Sequence, residues 1–373
     1  MNKGDFFMLK IKKQIDLLYI TNLLGNLSVT GAWVAILAAR GFSLVEIGFA
    51  ETVFHITSLI FEIPSGILAD IYGRKKMLLV SHMMAIIGNI IMVFSNGIGM
   101  VCLSFIFQAL MYNFASGSGD ALAYDSLKCV KQESRYEKYF SNQMIIYRVG
   151  TAVSTLCAGL ALFMGYRLAY VISALWHVPI LIFTWALVEV RTEETVKEYP
   201  DMGRIFRELL QYFADSLRFL INNAKATKLM FANSFVGAMD ILLLFFLQAK
   251  LTSAGIENRA LGIALFLMEM GGIVGSKLIL KAKKARYAGI FAVCTIGVAA
   301  GIFLEHSGLV PIMVFGGFIS AMADDALQVR TDAKLQDMFP SEQRATLISM
   351  CSFTFSVIMI VLSPLAGYFF SIW

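Results

Sequence analysis

The sequence has few charged residues: Asp, Glu, Lys and Arg make up 15% of its 373 residues. A soluble globular domain contains nearer to a quarter, so many side chains here must face something other than water. Proline is also scarce, at six residues, whereas phenylalanine occurs 30 times. This balance favours long helices in lipid over a loop-rich fold. The five cysteines show no paired spacing, which argues against a disulfide framework or a thiolate metal site.

Signatures of catalysis and of cofactor binding are missing as well. The glycine-rich runs lack the Gly-Lys-Ser/Thr of an ATP-binding loop. The four histidines are not spaced as metal ligands; they are His55, His82, His177 and His306. We therefore expect no enzymatic activity, no cofactor, no metal and no nucleic-acid partner. The amino terminus carries four lysines but leads into an apolar run too long for a cleaved signal peptide, so we expect that run to stay in the membrane.

Long apolar runs dominate the chain, and about 20 such residues cross a bilayer as a helix. Eleven spans are predicted. They are Leu17–Ala39, Leu44–Ala69, Met77–Ser95, Ile98–Leu122, Tyr139–Met164, Leu168–Val188, Leu229–Leu251, Ala260–Leu280, Ala288–Leu304, Leu309–Val329 and Thr346–Ile372. The prediction is an all-α polytopic membrane protein.

Lysine and arginine are unevenly shared between the connecting segments. With the amino terminus inside, 26 of the 31 fall in cytoplasmic segments and four fall outside. Because cytoplasmic loops carry the excess of Lys and Arg, the amino terminus is predicted to be cytoplasmic. We expect a six-span bundle at 1–188, a linker with an amphipathic helix at 189–228, and a five-span bundle at 229–373. A shared Asp-Ala-Leu at Asp120 and Asp325 suggests that the two bundles are pseudo-symmetric repeats.

The stretch "GILADIYGRKKML", Gly66 to Leu78, stands between the second and third spans. Gly66 allows close approach of another helix, and Gly73 permits a tight turn. Asp70 can face a helix N-terminus or a nearby cation and so hold the cytoplasmic side shut. Arg74 and Lys75 can pair with it or hold the loop at the anionic inner leaflet. The simpler interpretation is a positive-inside anchor; we favour a gating latch.

This stretch resembles the loop signature of the major facilitator superfamily, Gly-x-Leu-Ala-Asp-x-x-Gly-Arg-Lys. The resemblance implies twelve helices in two bundles, with a substrate bound between them and access alternating. Departures are Ile71 in place of a frequent Arg, Asn113 where the helix 4 motif has an Arg, and a helix 5 motif, Gly150 to Gly159, without its proline. The last two put antiport and the usual proton relay in doubt. The eleven spans do not supply the twelfth helix.

Charged side chains inside spans are costly and need a partner or a task. Arg148 lies near the middle of the fifth span, and Asp120 is its expected partner, as an ion pair or as part of a substrate or proton site. Polar residues also recur along one face of the second span; they are Glu51, His55, Ser58, Glu62 and Gly66. His55 is a candidate proton carrier, although a packing histidine is the commoner case. Glu62, beside Pro64, is a candidate site or a partner for backbone groups freed by the proline.

In the second half, Asp240 and Glu269 fall near mid-span without a cation nearby in sequence, whereas Asp325 precedes Arg330. Asp240, Glu269 and Asp325 are therefore candidate substrate or proton groups, with ion pairing the alternative for Asp325. Together these features predict a monomeric, plasma-membrane secondary transporter that couples protons to efflux of amphipathic or cationic compounds. The alternatives are uptake of a sugar or other metabolite, and a transport-incompetent sensor, scaffold or truncated product.

Overall fold

The computed structural model describes residues 3–190, 202–282, 284–338 and 344–372, and within them the chain is helical with no strand. The helices are α1 (Lys3–Asn26), α2 (Trp33–Ala39), α3 (Leu44–Tyr72), α4 (Arg74–Phe94), α5 (Ile98–Ala115), α6 (Ser118–Cys129), α7 (Tyr136–Leu156), α8 (Ala158–Met164), α9 (Tyr166–Trp185), α10 (Met202–Asn222), α11 (Ala224–Ser253), α12 (Asn258–Leu278), α13 (Tyr287–Glu305), α14 (Val310–Gln336) and α15 (Arg344–Ile372). Short 3-10 turns occur at Glu133–Arg135 and Ile279–Lys281. The predicted all-α membrane fold is confirmed.

Nine helical segments of the described chain are long and apolar enough to cross a membrane, and a bent pair, α7 with α8, makes a possible tenth. These correspond to the second through eleventh predicted spans. The first predicted span, Leu17–Ala39, is instead divided between α1 and α2. The break at residues 27–32 follows from its Ser, Thr and Gly content, because short hydroxyl side chains offer the backbone other partners. Ser28 N–H, for example, donates to Ser154 Oγ at 2.8 Å.

The described residues form two compact units. The first comprises Met1–Thr30, Thr57–Ser154 and Tyr166–Tyr212, and the second comprises Gly31–Ile56, Thr155–Gly165 and Phe213–Trp373. The six-plus-five division and the side of the amino terminus stay predictions. In the linker, α10 forms where an amphipathic helix was predicted, and it exposes the apolar side chains of Phe206, Leu217 and Ile221.

Each unit has a core of residues from several helices. In the first unit, one cluster joins Leu18, Leu78, Leu122, Ala123, Tyr139 and Leu187. In the second unit, Val236, Ile279, Ile290, Cys294, Val298, Ala323 and Leu327 pack together. Glycines bring α12 and α14 into backbone contact: a Cβ at Gly271 would meet the Phe318 carbonyl, and one at Gly275 would meet the Met322 carbonyl. Such close packing is typical of membrane helices, where small residues replace the hydrophobic driving force.

Candidate functional site

The loop between α3 and α4 places the predicted gating residues around an ion pair. Arg74 pairs with Asp125 of α6 through a guanidinium nitrogen, and the side chain of Asp125 is largely buried. Asp70 also interacts electrostatically with Asp125 and lines the same small cavity as Arg74 and Glu189. Lys75 lies over the ring of Trp185 at 5.9 Å. The contacts of this loop are thus centred on Asp125 and Arg74, with Asp70 beside them, and a gating role for them stays a prediction.

Gly73 is the N-cap residue immediately before α4, and its φ angle is +105°. Residues other than glycine rarely adopt that conformation, so the turn needs a glycine here. Glu189, just after α9, fills the space where a side chain at Gly73 would stand: a Cβ there would lie 2.5 Å from Glu189 Oε2. Gly66 has no such neighbour, since no described atom lies within 4 Å of its Cβ position. The close helix approach expected at Gly66 is therefore not made in this structure.

Glu189 was not among the residues predicted to act at this loop. Its carboxylate accepts hydrogen bonds from the backbone N–H of Arg74 at 2.9 Å and of Lys75 at 3.0 Å. These are two of the four N–H groups that every helix leaves unpaired at its start. A carboxylate there also meets the positive end of the helix dipole. The only signal in the sequence was that Glu189 is the first charged residue after the sixth predicted span, 115 positions away from Arg74.

The polar residues on α3 have separate partners. His55 and Glu51 are buried, and His55 Nε2 lies 3.4 Å from Glu51 Oε1. The His55 ring packs edge-to-face against Phe355 of α15 at 5.8 Å, and its Nδ1 is buried without a hydrogen-bond partner among the described residues. Glu62 is half-buried, and its backbone carbonyl accepts the hydroxyl of Ser65 at 2.9 Å. His55 thus has the contacts of a packing residue, with the Glu51 carboxylate one helical turn away.

Asn113 occupies the position where the resemblance led us to look for an arginine. It forms a reciprocal pair with Ser58: the Asn113 amide donates to the Ser58 carbonyl at 2.7 Å, and the Ser58 hydroxyl donates to Asn113 Oδ1 at 2.8 Å. This pair joins α5 to α3 within the first unit. The amide therefore has a structural partner and does not require a charged one.

Asp120 and Arg148 were predicted to pair. Asp120 lies in the first turn of α6 and is half-buried. The side chain of Arg148 lies outside the described residues, so the ion pair stays a prediction.

Carboxylates from three helices meet in the second unit. Asp240 on α11 interacts electrostatically with three other carboxylates. The interaction is strongest with Asp324 and weaker with Glu269 and Asp325. Asp240 is 4% exposed and Asp324 is 7% exposed. The Asp324 carboxylate lies against α11: its Oδ1 would be 3.3 Å from a Cβ at Gly237, one helical turn before Asp240. Asp240 and Glu269 are thus close enough to interact electrostatically, and their part in a substrate or proton site stays a prediction.

Asp325, which was predicted as a candidate substrate or proton group, faces a different helix from Asp324. Its Oδ2 accepts the Ser276 hydroxyl at 3.4 Å and abuts Gly272, both on α12. Arg330, its suggested partner, donates to the Ala282 carbonyl at 3.2 Å, and the ion pair between Asp325 and Arg330 stays a prediction. Because successive residues of a helix point about 100° apart, Asp324 reaches α11 while Asp325 reaches α12. Asp324 is therefore the buried partner of Asp240.

The Ser320 hydroxyl is a hydrogen-bond partner of the Asp240 carboxylate, and both groups are buried. Ser320 lies one turn before Asp324 on α14 and is fully buried. Ionisable side chains at membrane depth are costly, so retaining two adjacent buried carboxylates, Asp240 and Asp324, suggests a function beyond packing. Carboxylates placed this way can take up and release a proton or a cation. No group of three or more His, Cys, Asp or Glu residues in the described chain is arranged to hold a metal ion.

Comparisons with known proteins agree with this architecture. Residues 15–322 match the family model of the Major Facilitator Superfamily. A relative in Bacillus subtilis (strain 168), the uncharacterized MFS-type transporter YxaM, is 23% identical over 331 residues, which cover 86% of this chain and 79% of that protein. An uncharacterized transporter of Buchnera aphidicola subsp. Schizaphis graminum (strain Sg) is 24% identical over 226 residues, 58% of this chain and 54% of that protein.

Solved structures share the fold at low sequence identity. A mutant of the nucleoside transporter NupG superposes with a TM-score of 0.74 at 14% identity, covering 95% of this chain and 91% of that chain. A bacterial homolog of the human lysosomal transporter Spinster, inward-facing and unoccupied, gives a TM-score of 0.67 at 14% identity, covering 98% and 82%. At these identities the likeness extends to the fold alone.

Proposed function

The chain belongs to the major facilitator superfamily, and from that premise we propose that it exports amphipathic or cationic small molecules in exchange for protons. In this proposal the protein is located in the plasma membrane and functions as a monomer. The observation that carries the proposal is the buried pair of carboxylates, Asp240 and Asp324, which lie side by side and form no ion pair with a cation among the described residues. Ionisable groups at membrane depth are costly and are retained mainly where they serve transport.

The buried carboxylates can bind either a proton or a cationic substrate. Asp240 and Asp324 are buried side by side, so the first proton taken up relieves their repulsion. A cation entering the cluster does the same, and the two therefore compete for one negatively charged site. Competition of this kind is what an exchanger requires. Glu269, which is half-buried on α12, is the group through which the cluster meets substrate.

The methionine and phenylalanine content of the chain supports amphipathic compounds as the substrate class. The chain has 20 methionines and 30 phenylalanines. Flexible thioethers and aromatic rings accommodate apolar bodies of varied shape, which suits amphipathic compounds.

The α3–α4 loop acts in this proposal as the gating latch. Arg74, Asp125 and Glu189 hold the start of α4 in one place through charge-assisted contacts. Contacts of this type can have two discrete arrangements, made or broken, which is what a gate needs. Asp70 adjusts the latch by its repulsion of Asp125.

Uptake of a hydroxylated metabolite, such as a sugar or nucleoside, is the second candidate. A network of amides in the first unit favours it: Asn22 donates to Gln143, Asn26 donates to Asn22, and Gln143 donates to the hydroxyl of Tyr139. Converging amides of this kind can recognise hydroxyl groups. The likeness in fold to a nucleoside transporter is consistent with this alternative.

The experiment is proton movement in proteoliposomes with a pH-sensitive dye inside. Tetraphenylphosphonium, uridine and glucose are added in turn to wild type, Asp240→Asn and Glu269→Gln. Asp215→Asn, which removes an exposed carboxylate on α10, is the matched control. A proton flux evoked by tetraphenylphosphonium that survives in Asp215→Asn and is lost in Asp240→Asn supports the proposal. A flux evoked by uridine or glucose instead supports uptake. Silence with every compound, in folded protein, contradicts coupled transport and favours a sensor or scaffold.

A further inference from the structure

An open cavity of about 620 Å³ lies in the first unit, and no residue of the α3–α4 loop or of the carboxylate cluster is among its lining residues. It is bounded by α1, the end of α6 and the start of α7. Its polar lining includes Lys12, Asp16, Arg135 and Lys138. A volume of this size falls in the usual range for small-molecule sites, which is roughly 300–1,000 Å³. None of its charged residues belongs to the transport site proposed above.

The cavity has an excess of positive charge. Lys12, Arg135 and Lys138 are exposed, and none of the three forms an ion pair or a side-chain hydrogen bond with a described residue. Asp16 is the one acidic side chain among the lining residues. Three cationic side chains around one space recognise an anion, and arginine and lysine together suit the oxygens of a phosphate group.

The remaining walls are apolar and aromatic. Ile11, Ile15, Leu127 and Val130 line the cavity. The rings of Tyr19 and Tyr139 lie 5.1 Å apart, and Asn142 donates to the Tyr19 hydroxyl at 3.1 Å, which fixes that ring. A ligand that fills this space therefore has an apolar part as well as an anionic group.

We propose that this cavity binds a phosphate-bearing amphipath. All three cations lie in segments that the distribution of lysine and arginine predicts to be cytoplasmic. One source of the ligand is an anionic phospholipid of the inner leaflet, since basic pockets between membrane helices on that side bind lipid headgroups. The other source is a soluble phosphate ester of the cytoplasm. Both present the same chemistry to Lys12, Arg135 and Lys138.

The test is a binding measurement on the purified full chain in detergent. The lipid probe is fluorescent phosphatidylglycerol, and fluorescent phosphatidylcholine controls for the apolar tail. Glycerol 3-phosphate and inorganic phosphate form the soluble arm, as competitors and by direct calorimetry. The variants are Lys12→Gln/Lys138→Gln, its charge-conserving counterpart Lys12→Arg/Lys138→Arg, and Lys13→Gln/Lys131→Gln. The last removes two exposed lysines close in sequence that do not line the cavity.

Saturable binding should fall by about tenfold or more in Lys12→Gln/Lys138→Gln, because charge-assisted hydrogen bonds are lost. It should change by less than about twofold in the lysine control and in the charge-conserving variant, since long-range charge effects are screened by salt. Binding of phosphatidylglycerol alone assigns the lipid source, and binding of glycerol 3-phosphate assigns the soluble one. Equal losses in the cavity and control variants, or no preference for any phosphate-bearing probe over phosphatidylcholine, would overturn the proposal. Transport plays no part in this measurement, so its outcome is independent of the proposed exchange.

Discussion

Glu189 caps the helix that begins at Arg74: its carboxylate accepts the Arg74 backbone N–H at 2.9 Å and that of Lys75 at 3.0 Å. The segment after α9 is thereby tied to the start of α4, next to the ion pair of Arg74 with Asp125. One carboxylate thus joins the gating loop to the beginning of the linker. Any movement of α4 at this end must break or carry that contact.

We expect Glu189→Ala to lower thermal stability, because two N–H groups lose their acceptor. Loss of a helix cap costs about 0.5–2 kcal/mol. Glu189→Gln should retain part of the effect, since its amide oxygen still accepts. Thermal unfolding in detergent measures both. Glu133→Ala removes an exposed carboxylate in the same unit and is the control. An equal loss of stability in Glu133→Ala would contradict the capping role.

Gly73→Ala tests the same contact from the other side. Alanine at φ +105° is strained by about 1–3 kcal/mol, and its Cβ would also collide with the Glu189 carboxylate. Gly41→Ala is the control for strain alone, because Gly41 has φ +89° and open space around its Cβ position. We expect Gly73→Ala to be the more destabilising of the two. In the Glu189→Ala background, the difference in destabilisation between Gly73→Ala and Gly41→Ala should become smaller. An unchanged difference would show that Gly73 and Glu189 do not interact.

The paired hydrogen bonds of Ser58 and Asn113 make a third prediction. Hydrogen bonds between membrane helices contribute roughly 0.6–2 kcal/mol. Asn113→Ala should destabilise by about that amount, and a double-mutant cycle with Ser58→Ala should give a coupling energy of the same sign. Asn96→Ala, at an exposed turn, serves as the control. Strictly additive effects of Ser58→Ala and Asn113→Ala in the cycle would mean that the pair does not stabilise the α3–α5 contact.

Asp324→Asn should make the protein more stable and less active. Asparagine has a similar shape and removes one of two adjacent buried carboxyl groups, so the mutual repulsion of the ionised pair is lost. Single substitutions typically change the free energy of unfolding by about 0.5–3 kcal/mol. The same change removes the group that shares a proton with Asp240, so coupled transport should be lost. Asp337→Asn, at the exposed end of α14, should change neither quantity. Thermal unfolding and the liposome assay measure the two effects separately. A less stable Asp324→Asn with normal transport would show that Asp324 is a structural residue.

Hydropathy predicted most of the fold because an apolar run of span length has few alternatives to a helix. Hydropathy joined α1 and α2 into one span; the Ser, Thr and Gly residues at 27–32 were compatible with a break, but the Ser154 hydroxyl that pairs with Ser28 lies on α7. Sequence pattern could not predict Glu189, whose partners are backbone groups. Asp324 and Asp325 are neighbours of one type, and only the rotation of α14 decides which of them meets Asp240. Sequence motifs and hydropathy thus predict the positions of spans and loops. Which side chains contact each other across helices is seen only in the three-dimensional structure.

The close contact between α12 and α14 in the second unit gives the last prediction. Gly275→Ala should separate α12 from α14, because its Cβ would overlap the carbonyl of Met322. Neither atom belongs to a flexible side chain, so the backbones must move, at a cost of about 1–3 kcal/mol. Gly289→Ala on α13 is the matched control, since no described atom lies within 4 Å of its Cβ position. Replacing a glycine inside a helix by alanine stabilises by about 0.5–1 kcal/mol where there is room. We therefore expect opposite signs for the two changes in thermal unfolding. Because α14 also carries Asp324, Gly275→Ala should reduce transport as well, and a stabilised Gly275→Ala would contradict this packing.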